Sequence, residues 1–186
     1  MTEYPERTWD FNRRYEISGP WSDEPDKVQW VDQATGLDCL AVRNRMGVWC
    51  GYVGITSEHP WFEVGYSQCI EHCEGSVDNG YCEHTPEALI SVHGGLTFSD
   101  RCHEGVGDEA VCHVPYPGRD GRVWWFGFDC NHAFDLAPSI LHPKEFPILE
   151  NDVYRDLPYV REEVALLAKQ LASVGRGLVP VPVSET

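Results

Sequence analysis

Within seven residues, Asp129, Cys130, His132 and Asp135 gather four side chains able to bind a metal or move a proton. They follow the aromatic run Trp124–Phe128, which reads as a core strand, so they leave a rigid strand end. Such an end is where a preorganised site is best built. A neutral imidazole with carboxylates suits zinc, manganese or iron, and two acids with a histidine equally serve general acid–base chemistry. The plainer reading is that Asp129 caps a turn, Cys130 is core and His132 bonds the backbone.

The run Val92-His93-Gly94-Gly95-Leu96-Thr97 is the second candidate. Its two glycines permit positive φ or close approach by a ligand. It is not a phosphate loop, because it lacks the lysine-containing pattern and no helix follows. If the strands ending at His93 and Phe128 are neighbours, His93 and His132 converge. The expected metal ligands are therefore His93, His132 and Asp135, with zinc the foremost divalent candidate. Asp129 would serve as general base or fourth ligand, and His59 or His113 would complete the catalytic rim. A lone loop histidine such as His59 is otherwise a solvated residue.

Eight cysteines accompany eight histidines. Cys69-x3-Cys73 followed by Cys82-x-His84, with His72 inside, puts five potential ligands in sixteen residues. A second, structural zinc at Cys69, Cys73, Cys82 and His84 is one reading. The spacing departs from paired C-x2-C, so thiols without metal are the other. With no amino-terminal apolar segment in Met1–Arg14, an intracellular, reducing location is expected, where thiols outnumber disulfides.

The elements that must hold these residues read as α+β: a mainly antiparallel sheet, long loops and one carboxy-terminal helix. Residues 1–27 form an irregular polar arm, 28–175 a single domain and 176–186 an extended tail. Strands are expected at Lys27–Asp32, Leu37–Arg43, Val48–Ile55, Ala88–His93, Ala110–Val114 and Val123–Phe128, with a hairpin turn at Asn44–Gly47. Ser99–Gly107 reads as loop. In Pro158–Ser173, Val160, Val164, Leu167 and Leu171 recur at helical spacing, with Gly175 able to cap.

Hydrophobic residues make up 42% of the 186, and seven are tryptophan, which supports an ordered globule. Fourteen Lys+Arg against 30 Asp+Glu leave a net charge of −16. That surface repels phosphate backbones and anionic membranes, so neither nucleic acid nor membrane is an expected partner. The scattered acids favour solubility over DNA mimicry. No apolar run reaches the ~20 residues of a membrane span. The G-x-S-x-G, Walker, G-x-G-x-x-G and H-E-x-x-H patterns are all missing, which removes several large enzyme classes.

The chain resembles a family of small uncharacterised proteins from bacteriophages and bacterial genomes. The resemblance is carried by Glu24–Trp30, Thr35-Gly36-Leu37, Trp49–Gly54, His59-Pro60, Val92–Thr97, Cys112–Pro115, Trp124–Asp135 and Tyr154-Arg155-Asp156. Together these span roughly 20 to 172, about four-fifths of the chain. The D-C-x-H-x-x-D pattern is kept, with Asn131 and Phe134 where small residues are expected, and 65–86 looks like an insertion. The resemblance implies a phage origin and a role in the host cytoplasm. Taken with the motifs, the expected function is metal-dependent hydrolysis of a small molecule or nucleotide-like signal by metal-activated water. The alternative is a non-catalytic inhibitor that sequesters a host signalling ligand or masks a basic host protein.

Overall fold

The computed structural model describes residues 4–70, 82–102, 110–141 and 148–178. One six-stranded antiparallel sheet is built from β1 (Arg7–Trp9), β2 (Lys27–Val31), β3 (Asp38–Arg43), β4 (Trp49–Ile55), β5 (Phe98–Arg101) and β6 (Trp124–Asp129). Their order across the sheet is β1-β2-β3-β4-β6-β5. A single helical turn, α1 (Pro86–Leu89), precedes β5, and the long helix α2 (Leu157–Gly175) follows β6. The protein is thus α+β with one main carboxy-terminal helix. No helix among the described residues is long and apolar enough to cross a membrane.

β3 and β4 form the expected hairpin. Asn44 closes it by accepting from the amides of Met46 and Gly47, while Gly47 takes φ +83°, a left-handed angle that glycine adopts without penalty. Every residue of β4 is buried, because both faces of the sheet are covered. On one face α2 packs Val160, Val164, Leu167 and Leu171, all with no exposure, against Trp49, Val53, Phe126 and Phe128. Gly51 makes the close fit possible: a Cβ there would come within 2.6 Å of both the Phe128 ring and Val164. Helix α2 starts where Asp156 accepts from the Tyr159 amide, with Pro158 in the first turn.

The opposite face runs in cross-strand rows: Lys27–Val42–Cys50–Asp129, Gln29–Leu40–Tyr52–Gly127–Phe98 and Val31–Asp38–Gly54–Trp125–Asp100. Segment 110–116 lies over part of it. Lys27 Nζ donates to the Ala110 and Cys112 carbonyls, and Gln29 both donates to and accepts from the Val114 backbone.

Several local expectations are corrected. Ala110–Val114 is not a strand, because side chains rather than a neighbouring strand satisfy much of its backbone. Ala88–His93 is not a strand either. Thr85 caps the preceding residues through the Ala88 amide and Pro86 sits at the first helical position, so local capping wins over apolar content. Ser99–Arg101, the start of the expected loop Ser99–Gly107, belongs instead to the edge strand β5 beside β6. The amino-terminal arm contributes β1, anchored where Arg7 donates to the Val114 carbonyl and lies over the Tyr116 ring. Most of the predicted tail, from 179 onward, lies outside the described residues.

Candidate functional site

Asp129 is the last residue of β6, paired with Cys50 across the sheet. Beyond it the chain turns sharply. The Asn131 amide donates to Asp129 Oδ1 (3.0 Å), the His132 amide to Asp135 Oδ2 (3.0 Å), and the Asp135 amide returns to the His132 carbonyl (3.0 Å). Phe134 absorbs the turn at φ +71°. The amides of Leu136 and Val153 then tie this turn to the segment leading into α2.

The His93 loop arrives from the other side. Its amide donates to Glu163 Oε2 (2.8 Å), and the Gln170 side chain clasps the Ser91 backbone from both sides. Helix α2 therefore grips the loop along one polar row. Gly94, at φ +65°, is required twice over, because a Cβ would also collide with the His132 ring. The outcome is that His93 and His132 meet with ring centroids 5.5 Å apart.

The two glycines and the sharp turn thus bring His93, Asp129, His132 and Asp135 together, although they come from separate loops. His93 Nε2 lies 2.7 Å from Asp135 Oδ2, and His93 Nδ1 lies 2.9 Å from the Tyr159 hydroxyl. Arg155 Nε donates to Asp135 Oδ1 at 2.9 Å. Burial works to raise the Asp135 carboxyl, but hydrogen bonds from Arg155, His93 and the His132 amide outweigh it and hold the pKa below the ordinary carboxylate range. Asp135 therefore stays ionised and accepts from His93 Nε2–H. On its other side His93 Nδ1 shares a hydrogen bond with the Tyr159 hydroxyl, whose own pKa burial raises. Tyr159, His93, Asp135 and Arg155 form one continuous string of directed hydrogen bonds.

This string does not fit a metal ion held by His93, His132 and Asp135. Both nitrogens of His93 and both oxygens of Asp135 already face protein partners, and the Arg155 guanidinium would stand beside the cation. Among the described residues no group of three or more His, Cys, Asp or Glu is assembled to hold a metal. Cys130 is buried, and burial pushes its thiol well above the usual range.

His132 and Asp129 differ from that pair. Their side chains are 34% and 30% exposed, and His132 Nε2 lies 3.9 Å from Asp129 Oδ1. The Nε2 atom is buried without a hydrogen-bond partner. Asp129 Oδ2 accepts from the Thr97 hydroxyl at 2.8 Å. Asp129, Thr97, Asn131 and Asn44 form the polar wall of a cleft of about 330 Å³, with Val42, Tyr52 and Phe98 among its apolar walls.

The two other rim histidines lie elsewhere. His59 accepts from the Trp61 amide at Nδ1 and meets the Leu171 carbonyl at 2.9 Å through Nε2, so both nitrogens serve to pin the far end of α2. His113 is buried against Trp125 on the strand face away from α2 (ring centroids 5.3 Å apart), with neither nitrogen hydrogen-bonded. Burial lowers both pKa values, against an opposing pull on His113 from Asp38.

Two residues of the expected structural zinc site are joined to each other. Cys69 and Cys82 form a disulfide (Cα–Cα 6.0 Å), which removes two of the thiolates such a site needs. Cys73 lies outside the described residues. Cys102 and Cys112 form a second disulfide, whereas Cys39, Cys50 and Cys130 are buried and outside these disulfides. Thiols were expected from the assumed compartment, and compartment is not written in cysteine spacing.

Sequence reasoning missed Tyr159, Arg155 and Glu163 as partners of the site. Tyr159 and Glu163 are spaced i, i+4, a signal that they share one side of α2 beside the hydrophobic stripe, whereas Arg155 precedes the helix. Tyr52 and Asn44 of the cleft carried no signal at all. No protein-family profile, curated protein or solved structure matches the chain.

Proposed function

We propose that the chain is a small-molecule hydrolase in which Asp129 and His132 act as the acid–base pair at the cleft. One observation carries this reading: the half-buried Asp129–His132 pair lies between the cleft and a fully hydrogen-bonded His93–Asp135 pair that holds it in place. Asp129 takes the proton of an attacking water as the water oxygen bonds to the electrophilic centre. The bond to the leaving group then breaks, and His132 supplies that group's proton before recovering one from Asp129. His93, Asp135, Arg155 and Tyr159 are positioning residues: Asp135 holds the His132 backbone, and His93 meets its ring edge-on. General acid–base groups of this kind contribute roughly 10²–10⁴-fold.

The screening of His132 Nε2 favours a second reading, a binding protein without turnover, because Gly94 must move before that nitrogen meets a substrate. The motif resemblance supports a phage origin. The two disulfides support an oxidising surrounding for the folded chain rather than the expected cytoplasm, where thiols are kept reduced.

Purified protein incubated with a bacterial small-molecule extract, followed by mass spectrometry, separates the readings. Loss of one metabolite with wild type but not with Asp129→Asn or His132→Ala supports hydrolysis, and that activity should survive a chelator. A metabolite that co-purifies and is released unaltered on denaturation overturns hydrolysis in favour of binding.

A further inference from the structure

We propose that the Asp129 cleft takes a flat, uncharged nitrogen heterocycle that presents two adjacent N–H donors, as the edge of guanine does, and that it disfavours the phosphorylated forms of such a ring. This rests on the cleft being the ligand site and names what it recognises.

The floor of the cleft is aromatic for a reason of register. Tyr52, Gly127 and Phe98 are neighbours in one cross-strand row. Gly127 has no side chain, so the Tyr52 ring lies across it, where a Cβ would overlap the ring. Phe98 meets Tyr52 edge-on, with centroids 5.2 Å apart and planes at 82°. A planar ring finds one aromatic face and one aromatic edge there, the arrangement that stacking favours.

Asp129 stands at the end of the adjacent row. Oδ1 accepts from the Asn131 amide and Oδ2 from the Thr97 hydroxyl, so each oxygen keeps a free lone pair and the carboxylate is held still by both. A fixed carboxylate with two vacant acceptor sites is the complement of two parallel N–H donors. A volume of about 330 Å³ is near the lower limit for ligand pockets and suits a single ring system. Among the described residues no Lys or Arg lines the cleft, and the chain carries a charge of −16. A triphosphate would meet repulsion with nothing to offset it.

Guanosine, inosine and guanosine triphosphate are the probes, with binding followed by calorimetry and by saturation-transfer NMR from the aromatic protons. Guanosine should bind, and inosine, lacking the 2-amino donor, should bind about tenfold or more weakly, since a site built to accept a hydrogen bond rejects the analogue without it. The triphosphate should bind more weakly than guanosine at low salt. Asp129→Asn should lose about tenfold for guanosine while leaving inosine little changed, and Phe98→Leu should weaken both alike; unfolding curves verify that each variant is folded. No guanosine binding at millimolar concentration, equal binding of inosine, or tighter binding of the triphosphate overturns the proposal. Binding is read without turnover, so guanosine retained and unaltered sinks hydrolysis of that ligand but not the ligand class. Hydrolysis of a ring-free substrate that depends on Asp129 would do the reverse.

Discussion

Replacing Asp135 with asparagine isolates the hydrogen-bond string that supports the site. Asparagine has the same shape but carries one donor end and one acceptor end. If its oxygen takes the place of Oδ2, it still accepts from His93 and the His132 amide, but its NH2 then faces Arg155 Nε, donor against donor. If it is flipped, the NH2 faces the His132 amide, which has no other tautomer to offer. Either way a buried donor is left unsatisfied, because the Asp135 side chain is 1% exposed. One unsatisfied buried group costs about 1–3 kcal/mol, and a charge-assisted hydrogen bond contributes about 1.5–3 kcal/mol. Arg155 is 27% exposed, so its share is reduced by solvent screening. The total is ~3 kcal/mol, or about 6–12 °C in Tm for a chain of this length. Urea unfolding of wild type and Asp135→Asn at neutral pH measures it. The sign against pH is a second check: the folded-state pKa of Asp135 is depressed, so its stabilisation is complete above the ordinary value of 3.8 and fades as pH falls through the folded value. The gap between the two proteins should therefore close in acid. A difference below about 1 kcal/mol at pH 7, or one unchanged at pH 2.5, would refute the reasoning.

Leu167 is fully buried against the sheet, so Leu167→Ala should cost about 2–5 kcal/mol in chemical unfolding. Gly94→Ala combines a left-handed backbone with a collision at His132, and should lose about 1–3 kcal/mol while shifting the ring resonances of His132 in NMR spectra. His59 and His113 have pKa values lowered by burial from 6.5. Their stabilisation is complete above 6.5 and lost as pH falls toward the depressed values, so stability should decline from about pH 6.5 downward, and His59→Gln should flatten that part of the curve.

How much of this was legible in the sequence depended on whether the signal was local. The hairpin through Asn44–Gly47, the aromatic strand β6 and the apolar stripe of α2 follow from turn chemistry and periodicity, both of which act over a few residues. So does the choice of His93, Asp129, His132 and Asp135, because a dense polar run after a core strand and a Gly-Gly loop are visible in the order of residues. What those four side chains do for one another was not visible. That His93 and Asp135 spend their lone pairs on each other, on Tyr159 and on Arg155 depends on contacts between residues 42 and 66 positions apart. The same holds for the strand at Phe98–Arg101, whose partner is β6, and for His59 and His113, whose surroundings were set by α2 and by the far face of the sheet. Tyr52, Phe98 and Gly127 are unremarkable in sequence and become a floor only when register aligns them. Periodicity and capping act through the backbone of one segment, so the chain alone determined the elements and nominated the site. Hydrogen-bond valence and cross-strand register are shared between distant segments, so only the tertiary structure decided which polar groups are satisfied by one another and which aromatic rings share a row.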